Sequence, residues 1–340
     1  MYTGDAALAA VVLRDAAHLQ EQDAEHGTWV PLPGRARVRL RRAGHILGSA
    51  FAELRVQDRR LLFSGDLGRP GHELLVPAEA PDDADVVVVE STYGDRHHEG
   101  TGHTALAAAI RRSTQRGGVA LLPAFAVDRT PVLLMALSRM VREGQIPDLP
   151  VFVDSPMALK GLGIYQEAIR GRDAQFRPEI IARPDVFEPT HLQLMVTPED
   201  SERINSPRHP CVIISASGMA TGGRVLHQLR HQLPDARNGV FFTGFQVPGT
   251  RGRALVDGAG QIKVHGHYVP VRAEVTQIEG FSAHADAAQL TDWLSVIKPP
   301  EAAYIVHGEA QASAIFAERL HRELGWNAVV PDYLERVSLA

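Results

Sequence analysis

With 340 residues, 44% of them hydrophobic and 22% charged, the chain is long enough for two cores and falls outside the wholly disordered class. A net charge of −5 excludes a global basic field, so any nucleic-acid contact needs a local patch. The single cysteine, Cys211, excludes a disulfide framework and a thiolate zinc cluster, and leaves 16 histidines to supply metal ligands.

Asp5 to Gln22 opens the chain with Leu8, Val11, Val12 and Leu19 at helical spacings. No basic segment running into a long apolar core marks a secretory signal. No apolar run approaches the roughly 20 residues that a membrane helix needs. The expectation is a reducing, cytoplasmic location and no membrane partner. Arg35 to Leu40 then alternates charged and apolar residues. Phe51 to Val56 and Arg60 to Phe63 read as a hairpin with Asp58 near its turn. Asp85 to Glu90 contains four valines and reads as a buried strand ending in a carboxylate. Together these predict an antiparallel, sheet-rich element.

From Thr104 the texture changes. Helical runs at Ala105–Arg112, Pro131–Glu143 and Leu226–Gln232 alternate with apolar strands at Val119–Pro123, Val151–Val153, Cys211–Ser215 and Gly239–Thr243. Such alternation predicts a parallel, helix-covered sheet. Near Arg253 short strands return: Gln261–Val264, Val275–Ile278 and Ala303–Val306, with a helix at Ala287–Ile297 before the last. The pattern predicts a discontinuous first domain, 1–98 and 256–340, interrupted by an α/β domain over 99–255.

Five segments place His, Asp or Glu beside glycines or at strand ends. They are Ala43–Ser49 with His45, Leu61–Gly68 with Asp66, Val86–Glu90, Gly280–Asp286 with His284, and Tyr304–Glu309 with His307. Strand-end loops are where side chains can converge on a pocket, and His with Asp suits a divalent metal, zinc first. Each segment alone also has a structural reading. Histidine packs and hydrogen-bonds well as neutral imidazole, and Asp after Ser-Gly is commonly a turn residue. Glu90 differs, because a carboxylate at the end of a buried valine run needs a partner. Three glycine- and serine-rich loops follow strands in the middle of the chain: Asp154–Ala158, Ser215–Arg224 and Phe245–Arg253. Free backbone N–H groups there could hold phosphate, with Arg224, Arg251 and Arg253 as local positive charge, or the loops could be tight turns. No Walker-type lysine follows them, which disfavours a nucleotide P-loop.

In this order the segments resemble the β-CASP branch of the metallo-β-lactamase superfamily, a group of RNA-processing nucleases. Gly44-His45 through Ser49 and Ser64-Gly65-Asp66 resemble its third and fourth metal motifs. Glu90-Ser91-Thr92-Tyr93-Gly94, Phe281-Ser282-Ala283-His284 and Val306-His307-Gly308-Glu309 resemble its motifs A, B and C. The loops at Pro123–Val127, Asp154–Ala158 and Ser217–Gly223 match as well. The resemblance implies a metallo-β-lactamase αββα sandwich, here N-terminally incomplete, with an inserted α/β β-CASP domain. It implies two zinc ions, held in part by His45, Asp66 and His307, with Asp66 bridging. It implies metal-dependent hydrolysis of RNA phosphodiesters. His284 would act on the phosphate or the leaving oxygen, oriented by Glu90. Ser155, Ser217, Gly218, Met219, Gly222 and Arg251 would contact the phosphates of a single-stranded RNA substrate. A homodimer is a further implication.

One departure is large. The family's His-x-His-x-Asp-His signature occurs nowhere in the 340 residues, and the sole His-x-His, His265-Gly266-His267, reads as a strand or turn feature. Each metal position would then keep two protein ligands, where zinc sites normally use three or four. The expectation is an incomplete copy of a nuclease, impaired in zinc binding and inactive by itself. A non-catalytic RNA-binding paralogue is the competing reading.

Overall fold

The computed structural model describes residues 27–98, 100, 102–183 and 185–337. The helix expected over Asp5–Gln22 lies outside the described residues. The chain divides into two compact units: residues up to His97 with those from Ala283 onward, and the contiguous stretch His98–Ser282.

In the first unit a seven-stranded sheet begins with β1 (Val30–Leu32), β2 (Ala36–Arg42), β3 (Ala50–Val56) and β4 (Arg59–Phe63), paired antiparallel in that order. The β3–β4 turn at Gln57-Asp58 places Gln57 at φ 54°, as a two-residue hairpin turn requires. Next comes β5 (Val86–Glu90), which corrects the sequence expectation of an antiparallel element. It runs parallel both to β4 and to β14 (Ala302–Val306), and β15 (Ala328–Val329) completes the sheet. The all-valine run fits that setting, because a parallel strand covered on both faces needs no alternation. On one face Phe51, Leu62, Val87, Val89 and Ile305 pack with Leu290, Leu294, Phe316 and Leu320 of the helices Ala287–Leu294 and Ala310–Leu324. On the other face Val38, Leu54, Leu61 and Val86 form a second apolar cluster.

The second unit holds a six-stranded, all-parallel sheet. Its strands are β6 (Val119–Pro123), β7 (Val151–Asp154), β8 (Leu192–Leu194), β9 (Cys211–Ser215), β10 (Gly239–Phe242) and β13 (Glu274–Gln277), in the order β13-β10-β6-β9-β7-β8. Helices Gly102–Gln115, Arg129–Arg142, Pro156–Arg170 and Val225–Gln232 alternate with these strands. The helix Pro156–Arg170 follows a serine N-cap, Ser155, whose side chain accepts from the Ala158 amide.

The two compact units divide after Ser282, 27 residues beyond the domain boundary expected from the sequence at 255. The strands between Gln261 and Gln277 do not return to the first sheet. β13 extends the parallel sheet beside β10, and the hairpin β11 (Gln261–Val264)–β12 (His267–Pro270) adds Ile262, Val264 and Val269 to the same core. His265 and Gly266 form the two-residue turn of that hairpin, with φ of 47° and 83°.

Candidate active site

Parallel pairing brings the site together. β4, β5 and β14 run in one direction, so the segments after Phe63, Glu90 and Val306 emerge at the same edge. Asp66 follows β4, Glu90 ends β5, and His307 follows β14. His45 comes from the β2–β3 connection, and His284 from the segment before the helix Ala287–Leu294.

Asp66 lies between two imidazoles. One carboxylate oxygen, Oδ1, is 3.2 Å from His307 Nδ1, and the other, Oδ2, is 3.8 Å from His45 Nε2. The rings of His45 and His284 lie with centroids 4.2 Å apart and their planes tilted by 50°. Donor atoms of His45, Asp66 and His284 all lie within 4.8 Å of one another, as do those of Asp66, Glu90 and His307.

Glu90 is only 1% exposed, and both of its oxygens are engaged. Oε1 accepts from the Leu67 amide at 2.6 Å, and Oε2 lies 3.0 Å from His284 Nδ1. A carboxylate can only accept, so His284 Nδ1 carries the proton of that bond and its Nε2 is left for the site. Burial alone would push the Glu90 carboxyl up. The His284 bond and charge, then Thr92 and the Leu67 amide, outweigh it and hold the carboxyl below its ordinary value.

Small residues fix the loops. Ser49 Oγ accepts from the His45 and Ile46 amides at 3.0 and 3.1 Å. Ser64 Oγ accepts from the Glu90 amide at 3.0 Å, tying the Asp66 turn to β5. Gly68 forms an isolated bridge with His284, and its amide donates to Ala43 O at 2.9 Å. A Cβ on Gly68 would lie 1.9 Å from the Gly44 carbonyl oxygen and 2.6 Å from the His45 amide nitrogen, so only glycine fits. His307 sits at φ 54°, a conformation uncommon outside glycine, and Thr92 Oγ1 donates to its carbonyl at 3.1 Å. The roles of Ser49, Ser64, Gly68 and Thr92 were not legible in the sequence. The only signal was their place inside the segments already singled out.

A family profile described as the Beta-Casp domain matches residues 130–255, and one described as a Zn-dependent metallo-hydrolase RNA specificity domain matches residues 268–331. The chain is 34% identical to "Ribonuclease TTHA0252" of Thermus thermophilus, over 84% of this chain and 66% of that protein. It is 32% identical to an "RNase J-like protein" of Methanocaldococcus jannaschii, over 85% of this chain and 68% of the relative. It is 29% identical to "Transcription termination factor FttA" of the same organism, over 93% of this chain and 52% of that protein.

The chain belongs to the β-CASP family of the metallo-β-lactamase superfamily. It spans about two thirds of the length of the first two relatives and about half of the third. The metallo-β-lactamase fold with an inserted domain and a metal cofactor go with that membership. The donor chemistry fits such a metal. Imidazole nitrogen and carboxylate oxygen are zinc ligands, and each oxygen of Asp66 faces one histidine. Asp66 Oδ1 faces His307 and Oδ2 faces His45, and a donor atom of His284 also lies within 4.8 Å of donors of Asp66 and His45.

The β-CASP domain carries the loops expected at phosphates. Asp154 and Ser215 are register partners, so Ser155 and the Ala216–Arg224 loop leave adjacent strands side by side. Ser217 Oγ accepts from the Thr221 and Gly222 amides at 3.1 and 3.4 Å and closes its own loop. Arg251 does not stand free. Its guanidinium donates to the carbonyls of Lys263 at 2.7 Å and of Ala220 and Thr221 at 3.4 Å. Arg224 is likewise committed, to the buried Asp154 at 3.0 Å, and Arg253 to Asp257 at 2.9 Å. The positive charge counted from the sequence therefore serves mainly to hold loops. The loop amides are what remains to meet an anion.

Proposed function

We propose that the site serves metal-dependent hydrolysis of RNA phosphodiesters. The observation that carries this reading is Asp66, whose two oxygens face His307 Nδ1 at 3.2 Å and His45 Nε2 at 3.8 Å. A carboxylate with one imidazole per oxygen is built to bridge two cations. His45, Asp66 and His307 would hold two zinc ions. When bound, the pair supplies Lewis-acid activation of the phosphate and of the attacking water. The protein's own part is orientation and proton transfer. Glu90 fixes the His284 tautomer, and Nε2 of His284 serves the phosphate or the leaving oxygen. The loops that begin at Ser155 and Ser217 in the β-CASP domain would meet the phosphates of single-stranded RNA through those backbone N–H groups that the two serine hydroxyls do not already hold. The names of the relatives, ribonuclease and RNase J-like, support RNA as the substrate.

One observation favours a second reading. If Glu90 and His284 serve each other rather than a metal, each cation keeps two protein donors among the described residues, short of the three of a catalytic zinc site. These 340 residues by themselves would then bind zinc weakly and hold RNA without cutting it. One experiment separates the readings: cleavage and binding of 5′-labelled single-stranded RNA with zinc or manganese, for the parent and for Asp66→Ala. Metal-dependent cleavage lost in Asp66→Ala supports the hydrolase. RNA binding that is equal in both, without cleavage, supports the binding protein. Neither binding nor cleavage overturns both.

A further inference from the structure

The β-CASP domain has an apolar rim at the carboxyl edge of its parallel sheet. Phe125 and Val127 follow β6, Met157 follows β7 and Val247 follows β10. They are 41%, 40%, 66% and 41% exposed. Single exposed apolar residues are ordinary, but these four sit on three loops at one edge of the sheet. Phe125 stands out because its seat is built. A Cβ on Gly218 would lie 3.0 Å from Phe125 Cδ2, and one on Gly244 would lie 3.8 Å from Cε2. One edge of the ring therefore rests on the bare backbone of two glycines, one from the loop after β9 and one from the loop after β10. Thr130 Oγ1 donates to the Phe125 carbonyl at 3.1 Å and holds the backbone beneath. The ring is fixed on one side and open to solvent on the other.

Polar groups beside it complete the picture. The amides of Gly218 and Met219 have no hydrogen-bond acceptor among the described residues. A flat apolar ring next to free N–H donors matches the two halves of a nucleotide, a base with a π face and a phosphate. A protein segment would use the patch but would leave the paired amides without a matching anion.

We propose that Phe125 is a stacking platform for a nucleobase of single-stranded RNA whose adjoining phosphate meets the Gly218 and Met219 amides. The proposal rests on the RNA reading above and adds the residue that reads the base. Stacking on a π face is tolerant of sequence, and larger bases stack more strongly. The platform therefore predicts tighter binding of oligoadenylate than of oligouridylate.

The test is fluorescence anisotropy of three labelled decamers, oligoadenylate, oligouridylate and an abasic ribose-phosphate chain, with EDTA present so that nothing is cut. Phe125→Leu keeps packing bulk against Gly218 but lacks the π face, and Phe125→Ala lacks both. Both should weaken oligoadenylate binding by roughly 5- to 100-fold, which corresponds to one lost stack. Phe125→Trp should bind within about threefold of the parent, since it keeps a stacking face. The abasic chain should bind all four proteins alike. Equal loss on base-bearing and abasic chains would make Phe125 a mere support for the Gly218 loop and overturn the platform. Unchanged binding by Phe125→Leu and Phe125→Ala overturns it as well, while leaving the RNA reading intact. A parent chain that binds none of the three decamers overturns both.

Discussion

Glu90 and His284 stand 194 residues apart in the chain and meet as a buried pair, with His284 Nδ1 3.0 Å from Glu90 Oε2. The pair fixes which nitrogen of the imidazole faces the site. If His284 transfers a proton, His284→Ala lowers RNA cleavage by about 10²–10⁴-fold. Glu90→Gln lowers it less, because the ring remains but is held less well. RNA affinity and metal content stay at parental values in both. Metal analysis and cleavage rates on the same preparations check this. The donor atom of His284 is within ligand range of those of His45 and Asp66, so loss of metal in parallel with activity would make His284 a ligand instead.

Gly68→Ala tests the loop packing without touching a functional side chain. Its methyl would collide with the Gly44 carbonyl and the His45 amide. The His45 loop must then move, and the 3.8 Å separation of His45 from Asp66 with it. The expected result is zinc affinity lowered at least about tenfold, the scale of a misplaced supporting contact, in a chain that still folds. Zinc titration monitored by calorimetry, together with circular dichroism, reads both.

Asp154 is fully buried at the end of β7 and accepts from Arg224 Nη1 at 3.0 Å, Ser201 Oγ at 2.8 Å and Gln228 Nε2 at 2.8 Å. Asp154→Ala strands the Arg224 charge and two polar donors. Breaking a buried pair from one side costs about 3–5 kcal/mol. A fall in melting temperature on the order of 10 °C follows for a unit of this size. Replacing Arg224 with Met in the same chain should recover part of the loss, because no unpaired charge then remains. Thermal unfolding of the single and double variants decides it.

Glu274 on β13 receives Arg112 at 2.6 Å and Arg116 at 2.9 Å, both from the helix Gly102–Gln115 or just after it. Burial would raise its carboxyl, but the two guanidinium groups outweigh burial and hold it below the ordinary glutamate value. A depressed folded value means the stabilisation is complete above the unfolded value. It is lost as pH falls through the depressed one. Glu274→Gln should therefore be less stable than the parent at pH 7, by about 1 kcal/mol or less for such a half-exposed cluster. The gap should close as pH is lowered below the ordinary carboxylate range. Urea midpoints measured across that range would show it. A gap independent of pH would assign the effect to packing.

The local signals were legible in the sequence. The valine run of β5, the β3–β4 hairpin and the helix–strand alternation of the β-CASP domain are short-range patterns, and all appear as elements. The histidine- and carboxylate-bearing loops were legible too, but their convergence came from the family resemblance and not from any local pattern. It depends on β5 running parallel to β14, a pairing across the whole second unit that no local pattern encodes. Which sheet the strands just after Arg253 join was not legible for the same reason. Short strands near 261–277 look alike whether they join one sheet or the other, and for β13 only its partner β10 decides. The helix Pro156–Arg170 was missed because Gly161 and Gly163 break its periodicity, although its Ser-Pro start was in plain view. Arg251 and Arg224 were read as free charge, since composition does not reveal which carbonyls and carboxylates already claim them.

The neighbouring of β5 and β14 also sets an order of events during synthesis. β5 leaves the ribosome with one parallel partner already made and the other not yet translated. At roughly 5–20 residues per second, β14 follows some 10–40 seconds later. In that interval every strand of the contiguous six-stranded sheet has emerged, β13 included, while the first sheet still carries an open edge at its centre. That edge offers valine backbone groups to any passing strand. Only the return of the chain, where the Ala283 carbonyl meets the Arg69 amide and the Ala287 amide meets the Arg96 carbonyl, brings β14 to close it. The candidate site is thus assembled last, because His284 and His307 arrive on the final stretch of the nascent chain.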